Sequence, residues 1–124
     1  MLLLLSFMLN TSFAEPTRVD KSYAKYYIGR DISICDTVSH VSSPDEPSKP
    51  YIIYFEKYNG KFRKSDYSFN GIIWSSSAYD IEISPKVDLS GRDICISGVV
   101  SSYNGVPQII ITKSSQVSIV AKKQ

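Results

Sequence analysis

Apolar residues recur at every second position through much of this chain, the spacing of half-buried strands rather than of helices. Ile32 and Ile34 alternate with Ser33 and Cys35, and Ile94 and Ile96 alternate with Cys95 and Ser97. Residues 30–38 are therefore a predicted first strand, although Asp36 is unusual in mid-strand and predicts a bend or an exposed edge there. Residues 51–57, aromatic and β-branched, form a predicted second strand, followed by an Asn59-Gly60 turn. Residues 69–75, with Ile72-Ile73-Trp74, are the third. The fourth is entered through Ser90-Gly91-Arg92; its Val99 falls out of step with Ile94 and Ile96, and Gly98 stands where a bulge or sharp bend would absorb the slip. Asn104-Gly105 then signals a two-residue hairpin, because both central residues of a type I′ turn take positive φ. Residues 106–111 return as the fifth strand, Tyr103 is expected to pack against the turn, and residues 116–120 prolong that strand or add a short sixth.

Helical spacing is confined to one place. Asp20 is a good N-cap for residues 21–28, and Gly29 is well placed to end them. The spacing groups Tyr23, Ala24 and Tyr27 on one face and Lys21 and Lys25 on another. Residues 40–50 read as a loop, since Pro44, Pro47 and Pro50 cannot donate to a ladder, and His40 reads as an exposed member of it.

Composition narrows the class. The chain has 124 residues, 43% apolar and 21% charged, which suits one globular domain. Nine Tyr and five Phe favour strands. The formal net charge is only +2, so attraction to a polyanion has to come from local clustering. Residues 1–9 are an apolar run too short to span a bilayer. Ser12 and Ala14 stand at −3 and −1 of a cut after Ala14, the pattern of a secretory signal peptide, although no Lys or Arg precedes the run. The expectation is a signal peptide over residues 1–14, a single domain over 15–124, and export to the periplasm or the medium. With no cysteine near the cut, no stable membrane anchor is expected.

Two cysteines, Cys35 and Cys95, lie in similar stretches. If the flanking isoleucines face the core, both cysteines turn to the outer face. A disulfide between them requires Cα atoms within about 7 Å; the alternative is a pair of free thiols packed as small apolar groups. Two Cys and the single His40 do not make a zinc site, and no metal or cofactor is expected.

Five short strands, glycines at bends and a long connection between the third and fourth predict an all-β fold, a small closed or half-closed barrel. An immunoglobulin-like sandwich usually needs about seven strands. Gly29-Arg-Asp-Ile-Ser-Ile-Cys35, Phe69-Asn-Gly-Ile-Ile-Trp74, Leu89-Ser-Gly-Arg-Asp-Ile-Cys-Ile-Ser-Gly98 and Tyr103-Asn-Gly-Val-Pro-Gln-Ile109 together resemble bacterial OB-fold domains of the nucleic-acid-binding type. Such domains occur alone in small exported proteins and attached to exported nucleases. The resemblance covers about residues 21 to 120 and departs at Asp36, where these domains usually carry glycine. It implies a five-stranded Greek-key barrel with a short N-terminal helix. It also makes the first and fourth strands neighbours, which keeps the Cys35–Cys95 bond open.

The resemblance further implies binding on the face of strands two and three and the adjoining loops. In this chain that region holds Lys57, Tyr58, Lys61, Phe62, Arg63, Lys64 and Tyr67, with Tyr54 and Trp74 on the same face if alternation holds. Cationic side chains would track phosphates while rings stack on bases of single-stranded nucleic acid. Against this, Glu56 and Asp66 dilute the charge, and a lysine-rich hairpin tip is commonly just solvated. No Ser, Cys or Thr stands in a nucleophile motif, and Asp80, Glu82 and Asp88 have no evident acid–base geometry. The expectation is a non-catalytic exported protein binding single-stranded nucleic acid. The alternative is a periplasmic stress or interaction protein whose barrel holds a protein, a small molecule or an oligosaccharide.

Overall fold

The structure, a computed structural model, describes residues 16–56, 68–78, 81 and 89–120. The expected signal peptide, the Asn59-Gly60 turn, Asp66, Asp80, Glu82 and Asp88 lie outside the described residues. The described residues form an all-β arrangement of eight strands: β1 (Thr17–Arg18), β2 (Asp31–Thr37), β3 (His40–Ser42), β4 (Tyr51–Tyr54), β5 (Asn70–Ile73), β6 (Asp93–Tyr103), β7 (Val106–Ile110) and β8 (Val117–Ile119). Their order is β1-β2-β6-β7-β5-β4-β3, with β8 added to β6. The β1–β2 and β5–β7 pairs are parallel and the others antiparallel.

The isoleucine alternation does what its period implies. Ile32 and Ile34 of β2 and Ile94 and Ile96 of β6 are essentially inaccessible and join Ile53, Phe69, Ile109 and Ile111 in one core. The intervening Ser33, Cys35 and Cys95 are half-buried on the outer side. There Cys35 and Cys95 stand directly opposite in the β2–β6 ladder, with Cα atoms 4.0 Å apart, and are bonded as a disulfide. The two open alternatives for the cysteines thus resolve to the bonded one.

β6 is the strand on which the others assemble. Ile94, Cys95 and Ile96 pair with β2 and also with β8, so β6 is bonded along both edges. From Val100 onward it pairs with β7. Gln116 fills the step between β8 and β7: its Nε2 donates to Ser97 O at 3.0 Å and to Ile110 O at 3.1 Å, while its Oε1 accepts from the N–H groups of Thr112 and Lys113. This arrangement sets the residue at position 98. A Cβ there would lie 2.8 Å from Ile109 Cγ2 and 2.9 Å from Gln116 Nε2, and φ is +150°, so glycine is required on both counts.

The expected bulge at Gly98 is accordingly absent. β6 runs unbroken, positions 94, 96, 98 and 100 keep one phase, and Val99 simply points outward at 57% exposure. Of the bend or exposed edge expected at Asp36, the edge is found: β1 pairs with β2 only at Ile32 and Ser33, and no other described strand covers that side. Asp36 pairs regularly with Ile94, and its carboxylate meets Lys21 Nζ at 2.8 Å. The bend comes at Val38–Ser39 instead, and it divides the expected first strand into β2 and β3. Val38 N–H still bonds Arg92 O, whereas Ser39 N–H already bonds Tyr54 O. One run of chain therefore changes partner from the β6 side to β4 within two residues, and residues 40–42 are strand rather than loop.

Other corrections are local. The expected two-turn helix is a 3₁₀ helix, Lys21–Tyr26, capped at Ser22 N–H by Asp20 and closed by Tyr27 N–H on Ala24 O. Ala24 is buried and Tyr27 packs against the core, but Tyr23 is exposed, since three-residue periodicity does not hold it on that stripe. Residues 17–18 add β1 to the edge of β2. The Asn104-Gly105 hairpin is as expected, with φ of 50° and 80° and Tyr103 opposite Val106. Tyr103 itself is 65% exposed.

Three outcomes test this account. The disulfide closes a separation of 60 residues; replacing both cysteines by Ala is expected to cost about 2–5 kcal/mol in guanidinium denaturation. Gln116→Ala removes the partner of the Ser97 and Ile110 carbonyls and of the Thr112 and Lys113 N–H groups and is expected to cost about 1 kcal/mol by the same measurement, with Gly98→Ala destabilising as well through contact with Ile109. The Asp20 carboxyl is held below its ordinary 3.8, first by the Ser22 hydroxyl and then by the Ser22 N–H. Its folded value being depressed, its contribution is complete above the ordinary value and is lost as pH falls through the lowered one. Asp20→Asn is expected to flatten that acid limb in urea melts at stepped pH.

Candidate functional site

Strand register decides what the outer face of β3, β4, β5, β7 and β6 displays. The inward row is Val41, Ile53, Gly71, Ile109 and Val100, each paired with the next. One position along, the paired row is His40, Tyr54, Asn70, Gln108 and Ser101. Period two puts this second row on the opposite side from the core. The next outward row is Ser42, Ile52, Ile72 and Ile110. A band of polar and aromatic groups thus lies beside an apolar band, outside the core.

The rings are arranged rather than scattered. His40 stacks on Tyr54 with centroids 4.5 Å apart and planes at 16°. Trp74, which follows Ile73 in outward phase, is 41% exposed. Ile72, although outside the core, is only 5% exposed and lies in the lining of a groove of about 680 Å³ shared with Trp74, Tyr103 and residues of the 42–50 segment. Ser75 Oγ donates to Lys49 O at 3.1 Å and ties that wall to the Trp74 end. A smaller pocket of about 100 Å³, lined by Tyr54, Asn70, Tyr103 and Gln108 over Ile52 and Ile72, continues the groove. Tyr54 and Trp74 are therefore on one face.

Charge is sparse on this face. Among the described residues lining the two cavities, the ionised ones are Asp45 and Lys49, paired at 3.3 Å. The cationic and aromatic residues singled out from the sequence, Lys57, Tyr58, Lys61, Phe62, Arg63, Lys64 and Tyr67, lie outside the described residues. The chain leaves the described part at Glu56, directly after β4, and returns at Ser68, directly before β5. Those two residues are joined: Glu56 Oε1 accepts from the Ser68 N–H at 3.1 Å and from its hydroxyl. Lys21 Nζ braces this point, donating to Phe55 O at 3.2 Å and lying 3.9 Å from Glu56 as well as beside Asp36.

Comparison with known proteins adds a likeness of fold. No family model matches the chain, and no curated protein matches it. A crystal structure of a protein provisionally described as an aspartyl-tRNA synthetase from Leishmania major Friedlin matches 94% of this chain with a TM-score of 0.52 at 10% identity. The match spans 23% of that chain's length. A second, from Klebsiella pneumoniae subsp. pneumoniae MGH 78578 and provisionally described as a nucleic acid-binding lipoprotein, matches 82% of this chain and 79% of its own, with a TM-score of 0.44 at 14% identity. At these identities the first likeness speaks to fold alone.

His40, Asn70, Tyr103 and Gln108 were not picked out by sequence reasoning. His40 read as an exposed loop residue; it is half-buried in β3. Asn70 and Gln108 are far apart in the chain and meet only because β5 and β7 pair in parallel. The turn at Asn104-Gly105, which fixes the phase of Tyr103 and Val106, is the one local signal that pointed toward this group.

Proposed function

We propose that this chain is a non-catalytic, exported OB-fold protein that binds single-stranded nucleic acid on the outer face of β4, β5 and β7. The observation that carries the reading is the face itself: the His40–Tyr54 stack, Trp74 and Tyr103 stand around an apolar floor of Ile52 and Ile72. Flat rings over an apolar groove take the π-face of a base whatever its sequence. The barrel reading is supported by the sheet order, in which β2 and β3 lie at separated positions and yet follow one another in the chain across Val38–Ser39. That is how a strand serves two neighbours in a small closed barrel. Export is supported by the Ser12–Ala14 cleavage pattern and by the Cys35–Cys95 bond, which persists in oxidising compartments.

In this reading the face supplies stacking and amide hydrogen bonds, while Lys57, Lys61, Arg63 and Lys64 supply phosphate contacts from the segment joining β4 to β5. The second reading, a periplasmic protein that holds a protein, small molecule or oligosaccharide, is favoured by the scarcity of charge on the described face.

Trp74 is the chain's sole tryptophan, so it reports occupancy directly. Titration with single-stranded oligonucleotides is expected to quench its fluorescence, with affinity falling as salt rises because phosphate contacts release counterions. Duplexes are expected to bind more weakly. Tyr54→Ala is expected to weaken binding by about 1–3 kcal/mol, the usual contribution of one stacked base. Changing Lys61, Arg63 and Lys64 together to Glu is expected to abolish binding. No binding at low salt, or affinity indifferent to that charge reversal, overturns the nucleic-acid reading in favour of the second.

A further inference from the structure

Asn70 stands mid-row on the face, between Tyr54 of β4 and Gln108 of β7. Its Oδ1 is shielded from water and accepts no hydrogen bond. A buried acceptor left unmade costs about 1–3 kcal/mol, and a ligand that brings an N–H to it recovers that cost. Gln108 next to it donates from Nε2 to Ser101 Oγ at 3.4 Å. That contact directs one of its N–H groups toward β6. Asn70 and Gln108, partners in the parallel ladder, line one side of a pocket whose other walls are Ile52, Ile72 and Val106 and the rings of Tyr54 and Tyr103. The pocket's 100 Å³ is several times what one water occupies and suits a single heteroaromatic ring.

We propose that this pocket holds one base of a bound single strand and selects a pyrimidine carrying an exocyclic amine, cytosine over uracil or thymine. The proposal rests on the single-stranded nucleic-acid reading above and goes beyond it in assigning base preference to Asn70. The 4-amino group of cytosine donates to Asn70 Oδ1. Uracil presents a carbonyl oxygen at the same place, so acceptor faces acceptor with no proton between them. Ring size and stacking surface are alike in the two bases, which leaves the hydrogen bond as the difference.

The test is a Trp74 fluorescence titration of the full chain with oligodeoxycytidylate and oligodeoxyuridylate of about 12 nucleotides, within the span of one OB fold. At one low salt concentration the cytidylate is expected to bind on the order of tenfold more tightly. Asn70→Leu is expected to bring the ratio close to one while uridylate affinity is kept. The comparison of the two oligonucleotides on the unaltered chain stands even if that variant fails to fold. Equal affinities, or a preference for uridylate, overturn amine selection and leave the nucleic-acid reading intact. A preference that survives in folded Asn70→Leu overturns the role of Asn70. Failure of both oligonucleotides to bind overturns the inference and the reading together.

Discussion

β6 is hydrogen-bonded along both edges, and nearly every other feature of the molecule depends on that. One edge carries β2; the other carries β8 and then β7. Two strands cannot meet end to end on one edge without leaving ladder groups unpaired. The Gln116 side chain closes the interval by bonding Ser97 O and Ile110 O. The close approach of that amide and of Ile109 is what excludes any Cβ at position 98. The disulfide lies on the same strand and fixes β2 in register with it, so β6 is held covalently as well as by its ladders.

From this strand the face follows geometrically. With β7 paired to β6 through the Asn104-Gly105 hairpin, Gln108 must stand opposite Ser101. With β5 parallel to β7, Asn70 must stand opposite Gln108. Slipping β7 by one residue would send Gln108 inward and Ile109 outward, exchanging a polar row for an apolar one. The outer face and the core are thus two sides of a single register. The Lys21–Asp36–Glu56 group bears on the other end of the face, since it holds the 3₁₀ helix, β2 and the chain after β4 in one place.

Much of the fold was legible in local chemistry. Ile32, Ile34, Ile94 and Ile96 announced both their strands and their buried faces, because alternation is set by the pleat of a single strand. Asp20 announced its cap, and Asn104-Gly105 its turn. Asp36 marked an exposed edge as its propensity implied, but the bend weighed for it and the bulge weighed for Gly98 are absent, because an ion pair to Lys21 accommodates the first residue and packing by Ile109 and Gln116 sets the second. Of the site, Tyr54 and Trp74 were legible by phase, but His40, Asn70 and Gln108 were not, since nothing near them in the chain marks them as neighbours.

The sequence by itself determined the all-β character, the inward and outward phases of the main strands, and the two cysteines on the outer side. These are properties of one strand at a time and need only the two-residue period. Tertiary structure decided which strands are neighbours, where the run from Asp31 to Ser42 bends, that Cys35 and Cys95 are bonded, and that an amide row lies beside an apolar groove. Those depend on pairing between distant segments, and pairing is chosen by the joint burial of the core rather than by any residue taken alone.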